Sequence, residues 1–293
     1  MKLHYLKRGT NFGDHINPIV FKEIFNQEID YAKPYNCTHL GMGSILERSL
    51  IRNFKNKSFL SNLIKNKRKI MGRFFSYNKP IYTLGSGFIE NPFNSMKNIK
   101  TFRKVSPIAL RGKNTLKALE IITNQEYKNV AFGDAGIFVN ELLNKDIEKK
   151  HKIGVIPHMA EKNLDIVKQL AANPDIKIID IENDYLQVIE DVASCETVIS
   201  SSLHGLVTSN SLNVPNLWVK ISDLLIGDSF KFQDYYSAFN KTTEVLDIRD
   251  FDLSKITPEF IEEKNLLSKE DIATYKTNLK QALEKHFSEF NKK

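Results

Sequence analysis

The sequence predicts an α/β protein built on parallel sheets, and three observations support that prediction. Short apolar runs alternate along the chain with segments whose apolar residues recur at helical spacing. Nine of the 13 glycines fall where a predicted strand turns into a predicted helix. The length of 293 residues suits two packed domains of about 150 residues each. We therefore expect two α/β halves.

The N-terminal half is predicted to begin with a strand over residues 2–7, the turn NFGD at residues 11–14, and then a helix. Apolar residues at helical spacing over residues 16–25 indicate that helix. Pro18 lies in its predicted first turn, where the missing N–H costs little. A further helix is predicted at residues 113–122, and strands that end in glycine turns are predicted at residues 38–46, 80–88 and 130–139.

The C-terminal half shows the same alternation more regularly. Strands are predicted at residues 152–156, 176–181, 197–200 and 216–219, and helices at residues 160–172, 184–194 (capped by Asp184) and 203–212. The charged segment at residues 144–152 is the predicted linker between the halves. Residues 268–290 are predicted to form a long polar helix with few apolar anchors.

Composition excludes several classes of protein. With 41% hydrophobic and 26% charged residues, the chain is not wholly disordered, collagen-like or a simple coiled coil. Its two cysteines, Cys37 and Cys195, cannot form a disulfide framework or a four-thiolate zinc site. The sequence shows no apolar signal region and no apolar run near the ~20 residues of a membrane span. We expect a cytoplasmic protein, with peripheral membrane binding left open.

The net charge of +7 points to a nucleic acid, an anionic membrane or an anionic small substrate. The segment at residues 48–73 carries nine basic and no acidic residues, so the rest of the chain has a net charge of −2. Its apolar residues fall near one helical face, which suits either an anionic membrane surface or a solvated insertion packed on the domain. No recognised nucleic-acid module accompanies it, so a nucleic-acid partner is not predicted.

The glycine turns predict an anion site. Ligands of open α/β sheets bind at the carboxyl ends of the strands, and glycine lets backbone N–H groups approach them. The spacing at Gly41 and Gly85 is neither G-x-G-x-x-G nor a Walker A loop, so dinucleotide binding and P-loop chemistry are not indicated. The alternative is that each glycine only makes a tight turn.

One segment combines serines with a histidine. A predicted buried strand ends in Ser200, Ser201 and Ser202, and His204 lies in the first turn of the following helix. The hydroxyls can cap that helix or donate to a phosphate or carboxylate, and His204 can carry a proton. The alternative is a capping serine beside a structural histidine.

Seven short motifs occur in one order over about residues 1–220, and with them the sequence resembles the polysaccharide pyruvyl transferase family. They are NFGD at 11–14, GMGS at 41–44, GSGF at 85–88, ALRG at 109–112, GDAG at 133–136, IPH at 156–158 and SSSLHG at 200–205. The resemblance implies transfer of the enolpyruvyl unit of phosphoenolpyruvate onto two hydroxyls of a hexose. The products are a cyclic pyruvate ketal and inorganic phosphate.

The resemblance also implies a fold and an acceptor. The fold is α/β, with two Rossmann-like domains facing across a cleft in a GT-B-like arrangement and a C-terminal helix. The N-terminal domain would span residues 1–146, with the basic insertion at 48–73, the second domain residues 147–250, and a helical tail residues 251–293. The acceptor would be a cell-surface polysaccharide or its lipid-linked oligosaccharide precursor, reached at the inner face of the membrane through residues 48–73.

Residue by residue, the resemblance implies that His204 is the general acid and that Asp14 is the base or the partner of a sugar hydroxyl. Asp14 could instead cap its helix, and Asp134 could equally be a cap. Arg111 would grip a phosphate or carboxylate bidentately. Ser202 stands where many members have an arginine. The expected substrate-binding residues are Asn11, Gly13, Gly85, Ser86, Arg111, His158, Ser200, Ser201 and Ser202.

Phosphoenolpyruvate would be the donor substrate, and no cofactor is expected. The sequence contains neither H-E-x-x-H nor C-x-x-C, so no metal site is predicted. Two other functions remain open. One is a GT-B glycosyltransferase that uses a nucleotide sugar in polysaccharide biosynthesis. The other is a non-catalytic relative that binds a glycan, an alternative raised by the serine at position 202.

Overall fold

The computed structural model describes residues 1–7, 11–52, 79–92, 99–101, 103–225 and 229–292. Most of the basic segment at 48–73 lies outside these residues. The described chain contains two parallel sheets, which confirms the α/β class. Among the described residues, no helix combines the length and the apolar character needed to cross a bilayer.

The first sheet is built from the N-terminal half. The strands of this half are β1 (Lys2–His4), β2 (Asp30–Tyr31), β3 (His39–Leu40), β4 (Leu50–Arg52), β5 (Ile81–Ser86), β6 (Ile99–Thr101), β7 (Val105–Leu110) and β8 (Ala131–Phe132). Six of them pair in parallel in the order β2-β1-β3-β5-β7-β8, while β4 and β6 form a separate antiparallel pair. The helices are α1 (Phe12–Ile19) and α2 (Lys113–Thr123), with 3-10 helices at Leu46–Ser49 and Ala135–Leu142.

The second sheet is built from the C-terminal half. Its strands are β9 (His151–Ile156), β10 (Ile176–Ile178), β11 (Cys195–Ser200), β12 (Asn216–Lys220) and β13 (Leu246–Asp247), paired in parallel in the order β10-β9-β11-β12-β13. The helices are α3 (Asp165–Ala171), α4 (Tyr185–Ala193), α5 (Leu203–Ser211), α6 (Phe230–Ser237), α7 (Pro258–Lys264) and α8 (Lys269–Phe290), with a 3-10 helix at Leu253–Lys255. The chain from residue 143 to residue 150 forms no helix or strand, whereas the last two residues of the predicted linker at 144–152 belong to β9.

Helix α1 begins four residues earlier than predicted. Asn11 caps it, since its Oδ1 accepts a hydrogen bond from the N–H of Gly13 at 3.0 Å. Pro18 therefore lies inside the helix rather than in its first turn, where a proline removes an internal hydrogen bond. The chain continues directly as a π-helix at Val20–Ile24.

The other helices differ in how well the apolar spacing and capping residues predicted their bounds. The predicted cap of α4 is confirmed, because Asp184 accepts a hydrogen bond from the N–H of Leu186 at 3.0 Å. Helix α5 confirms the prediction at residues 203–212 almost to the residue. Helix α3 begins five residues later than predicted. Helices α6 and α7 were not predicted, because neither shows a clear apolar period in its short sequence.

The C-terminal helix returns to the first sheet. Helix α8 begins with a capping box between Ser268 and Asp271, and it contacts β7 and β8. The expectation of few apolar anchors was wrong, because residues three or four positions apart form a continuous buried face. These residues are Ile272, Tyr275, Leu279, Leu283 and Phe287.

The two sheets share one hydrophobic core. The largest apolar cluster contains Leu84 of the first sheet, Val198 of the second and Leu279 of α8. The halves are therefore packed against one another through apolar side chains. This contact fixes the loops of one half relative to those of the other.

Candidate functional site

All seven motifs lie at or just after the carboxyl ends of parallel strands. The loops after β1, β3, β5, β7 and β8 carry the motifs of the first sheet, and those after β9 and β11 carry the motifs of the second. Such strand ends are where open α/β sheets bind ligands. The candidate site therefore comprises the loops at these strand ends.

His204 lies where the two halves meet. A Cβ atom added to Gly13 would be 1.9 Å from Nδ1 of His204. Helix α1 therefore approaches the imidazole so closely that only glycine fits at position 13. On the other side, Nε2 lies 3.5 Å from Oδ2 of Asp134. The His204 side chain is 16% exposed, whereas that of Asp134 is fully buried. The structure thus brings together three of the motifs around one imidazole.

Asp14 belongs to the same group. It is half-buried in the first turn of α1, and Asn11 rather than Asp14 is the capping residue. Burial raises the pKa of the Asp14 carboxyl above its ordinary value, although the positive charges of His204, His15 and Arg48 act in the opposite direction. A carboxylate with a raised pKa is a better proton acceptor, as a general base requires.

Asn17, which the sequence analysis did not select, holds the second motif in place. Its Nδ2 donates to the carbonyls of Gly13 and Met42, and its Oδ1 accepts from the N–H of Met42 at 2.9 Å. A Cβ on Gly41 would lie 2.0 Å from that Oδ1. A polar residue on the apolar face of α1 was the only sequence signal for this role.

Gly43 of the second motif and Gly85 of the third both have a positive φ, in different surroundings. Gly43 has φ +98° with open space where a Cβ would be, and Gly85 has φ +103° with the carbonyl of Gly133 only 2.5 Å from that position. Positive φ is accessible to glycine without strain. Ser86, next to Gly85, is fully buried, and its Oγ has no hydrogen-bond partner among the described residues.

Arg111 lies inside the protein. Its side chain is fully buried, with Nε donating to Asp234 at 2.9 Å and Nη1 donating to Ser44 at 2.8 Å. Nη2 donates to the carbonyl of Phe88. Because all three nitrogens donate inside the protein, Arg111 holds α6 and two motif loops together.

The serines are also engaged internally. Ser200 donates to the carbonyl of Ile156 at 2.9 Å, and Ser201 donates to Glu161 at 2.5 Å. Ser202 is the first residue outside α5, but its side chain makes no capping hydrogen bond. The simple capping alternative therefore does not describe these serines. Two of the three hydroxyls join the ends of β9 and β11.

A second group of charged side chains lies beside this serine turn. The N–H of His158 donates to Ser201 at 2.9 Å, and the buried carboxylate of Glu161 accepts from both Ser201 and Ser222. Burial and the charge of Lys231 lower the pKa of His158 to about 4, so its ring is neutral near pH 7.

Lys231 was missed by the sequence analysis. It lines a pocket of ≈ 300 Å³ with Trp218, Lys220 and Ser222, and no carboxylate of the described residues lies within ion-pair distance, although the charge of Glu161 acts on it. Burial and the charge of Arg111 lower its pKa to about 8. The only sequence signal was a lysine between two aromatic residues, in a helix that the pattern did not reveal.

The described part of the chain contains no group of three or more His, Cys, Asp or Glu side chains that could hold a metal ion. The arrangement is one of acid–base groups and an unpaired cation at the strand ends. An imidazole near two carboxylates can move protons, and a half-buried lysine with the N–H groups of a helix start can bind an anion.

Comparisons with known proteins identify the relatives of this chain. A model of the polysaccharide pyruvyl transferase family matches residues 11–223. An uncharacterized protein of Acanthamoeba polyphaga mimivirus is 33% identical over 248 residues, which cover 81% of this chain and 74% of that protein. The crystal structure of an uncharacterized protein from Klebsiella pneumoniae superposes with a TM-score of 0.44 at 17% identity, covering 84% of this chain and 92% of that one.

Proposed function

The chain belongs to the polysaccharide pyruvyl transferase family, and we propose that it transfers the enolpyruvyl group of phosphoenolpyruvate to a hexose. The acceptor is a cell-surface polysaccharide or its lipid-linked precursor. The observation that carries the proposal is the position of His204 between Gly13 and Asp134, with the charge of Asp14 close by. Because phosphoenolpyruvate is a cytoplasmic metabolite, the proposal implies a cytoplasmic enzyme.

The reaction requires three proton movements. Protonated His204 donates to the methylene carbon of the enol, which leaves a cation at the neighbouring carbon for a sugar hydroxyl to attack. Asp14 removes the proton from that hydroxyl. A second hydroxyl then displaces the phosphate, which leaves with the second hydroxyl proton, and a ketal remains. Return of the first proton from Asp14 to His204 completes the cycle.

The anionic groups of the donor need cations and N–H donors. Lys231 supplies a cation that has no carboxylate partner among the described residues, and α5 presents its first N–H groups at the end of β11. These groups take the place of the arginine that many members carry at the position of Ser202. Arg111 adds positive charge from inside the protein.

The proposal is tested with purified protein, phosphoenolpyruvate and a panel of hexose-containing or lipid-linked glycans. We expect inorganic phosphate release and a mass gain of one pyruvate ketal per acceptor. His204→Gln should abolish both, whereas His151→Gln, at the opposite end of a strand of the second sheet, should abolish neither. Stabilisation by a nucleotide sugar and not by phosphoenolpyruvate in a thermal-shift assay would instead favour the glycosyltransferase alternative.

A further inference from the structure

Asp134 has one oxygen that its structural role does not use. Oδ1 accepts a hydrogen bond from the N–H of Gly136 at 2.9 Å and so caps the 3-10 helix at Ala135–Leu142. Oδ2 has no hydrogen-bond partner among the described residues, and neither does Nε2 of His204. These two atoms are 3.5 Å apart.

Two contacts fix the direction of that free oxygen. The backbone N–H of Asp134 donates to the hydroxyl of Tyr275 at 2.7 Å, and the cap to Gly136 holds the other carboxylate oxygen. Tyr275 belongs to α8 and is itself buried. Oδ2 is therefore held toward His204 by the main chain and by the C-terminal helix, independently of any ligand.

Buried polar atoms in proteins almost always have a partner, because an unpaired one costs about 1–3 kcal/mol. Oδ2 and Nε2 lie 3.5 Å apart, and neither has another hydrogen-bond partner among the described residues. A separation of 3.5 Å is longer than a good hydrogen bond, but contacts of this kind often tighten when substrate binds. The pair therefore has the geometry of a carboxylate that orients an imidazole.

We infer that Asp134 is a positioning residue for His204: Oδ2 accepts a hydrogen bond from Nε2–H and leaves Nδ1, on the side of Gly13, to exchange protons with the substrate. This inference rests on the proposed function of His204 as the acid. A fixed carboxylate behind the ring selects one tautomer and stabilises the imidazolium form. The His204 side chain is 16% exposed, so part of the ring stays open to solvent while Nε2 is buried beside Asp134.

The substitution Asp134→Asn separates the orientation of the His204 ring from the capping of the 3-10 helix at Ala135–Leu142. The asparagine oxygen still accepts from the N–H of Gly136, because asparagine caps helices as well as aspartate does. Its NH₂ group then replaces Oδ2 and donates to Nε2, so the neutral ring must carry its proton on Nδ1. The matched control is Asp184→Asn, which changes a cap of the same kind on α4.

The measurement is ¹⁵N NMR of the histidine side chains at about pH 8.5, where a free imidazole is neutral. The His204→Gln spectrum assigns the signals. We expect His204 to be the Nε2–H tautomer in the wild type and in Asp184→Asn, and the Nδ1–H tautomer in Asp134→Asn. Pyruvyl transfer should fall at least about 100-fold in Asp134→Asn and stay within about twofold in Asp184→Asn.

The outcomes separate the inference from the proposed function. The same His204 tautomer in the wild type and in Asp134→Asn would overturn the inference, whatever the activity. A reversed tautomer with unchanged transfer would also overturn it, because orientation would then not matter for the reaction. A wild type that transfers no pyruvyl group to any acceptor would overturn the proposed function, while the tautomer comparison would still test the contact.

Discussion

At the scale of the single residue, Gly13 controls the position of His204. The substitution Gly13→Ala places a methyl group where Nδ1 of His204 now lies, so the ring must move or α1 must shift. We expect transfer activity to fall at least about 100-fold, with a loss of stability of about 1–3 kcal/mol. Activity assays and urea unfolding measure the two effects. Full activity in a folded Gly13→Ala protein would show that the close approach is not needed.

Lys231 leads to a second prediction at this scale, on donor binding. Lys231→Met should raise the KM for phosphoenolpyruvate at least about tenfold and change kcat less, because the lost contact is made with the bound donor before reaction. Lys220→Met is the control, since Lys220 lines the same pocket but is paired with Asp223. Equal effects of the two substitutions would mean that Lys231 has no special role.

The pH dependence of donor binding gives an independent check on Lys231. Burial and the charge of Arg111 lower the pKa of Lys231 to about 8, so the free protein loses this positive charge as the pH rises through that value. The KM of the wild type should therefore increase above about pH 8. In Lys231→Arg the increase should disappear, because a guanidinium stays charged. Steady-state kinetics from about pH 6.5 to 9.5 provide the comparison.

The sequence was a good guide to which site residues meet, and a poor guide to what holds them. Gly13, Asp14 and His204 were all selected and do lie together, because strand ends on parallel sheets share an edge. Arg111 was selected for a contact with the donor, whereas the structure shows its contacts with Asp234, Ser44 and Phe88. Its partner Asp234 is 123 residues further along the chain, and no local sequence pattern predicts a contact over that separation.

At the scale of the secondary-structure element, the ion pair of Arg111 and Asp234 attaches α6 to the end of β7. Both side chains are fully buried, and Asp234 also accepts from the N–H and hydroxyl of Thr115. Removing one partner of a buried pair leaves the other charge without compensation, which costs about 3–5 kcal/mol. The exposed pair of Lys168 and Asp165 offers a contrast, because exposed pairs contribute about 0–1 kcal/mol.

We therefore predict that Arg111→Leu lowers the free energy of unfolding by about 3–5 kcal/mol, whereas Lys168→Leu changes it by less than about 1 kcal/mol. Urea unfolding followed by circular dichroism measures both. If the Arg111→Leu protein instead kept its stability and lost only affinity for the donor, Arg111 would contact the donor directly.

Helices with a cap or a buried strand directly before them were predicted closely, whereas α1 and α3, predicted from apolar spacing alone, begin four and five residues away from their predictions. Helices α4 and α5 match their predicted spans, since each has a capping signal or a buried strand directly before it. Helix α6 was missed because its aromatic residues are buried on more than one side. Packing in three dimensions, and not local periodicity, decides such a helix, and α6 is the element that carries Lys231.

At the scale of the whole molecule, α8 connects the end of the chain to the first sheet. The sequence indicated the helix but not its destination, because an apolar face does not specify the surface that it covers. The return of α8 explains why Leu279 packs against Gly133 and why Tyr275 reaches Asp134. Helix α8 thereby supports the loop of the first half that carries Gly133 and Asp134.

The contact of α8 with the first sheet includes a buried pair of histidines. Nε2 of His39, in β3, lies 2.8 Å from Nε2 of His286, so one ring donates and the other accepts. Burial and the charge of His286 lower the pKa of His39 to about 3. Protonation of both rings is thus incompatible with the folded arrangement.

This pair makes the docking of α8 sensitive to acid. The ordinary pKa of histidine is about 6.5, so between that value and about 3 the unfolded chain binds one more proton at His39 than the folded chain does. The free energy of unfolding should then fall by up to about 1.4 kcal/mol for each pH unit below about 6.5. His158, whose pKa is lowered to about 4, adds a similar contribution over a narrower range.

Urea unfolding at about pH 7 and pH 5 therefore tests whether the contact of α8 with the first sheet makes the stability of the protein depend on pH. We expect the midpoint to fall clearly in the wild type and by less in His39→Gln, which retains the contributions of His158 and of His4, whose pKa burial also lowers. His151→Gln, a change to a histidine outside this contact, should keep the wild-type difference. If His39→Gln showed the full wild-type difference, the acid sensitivity would come from another part of the protein, and the histidine pair would not couple α8 to the first sheet.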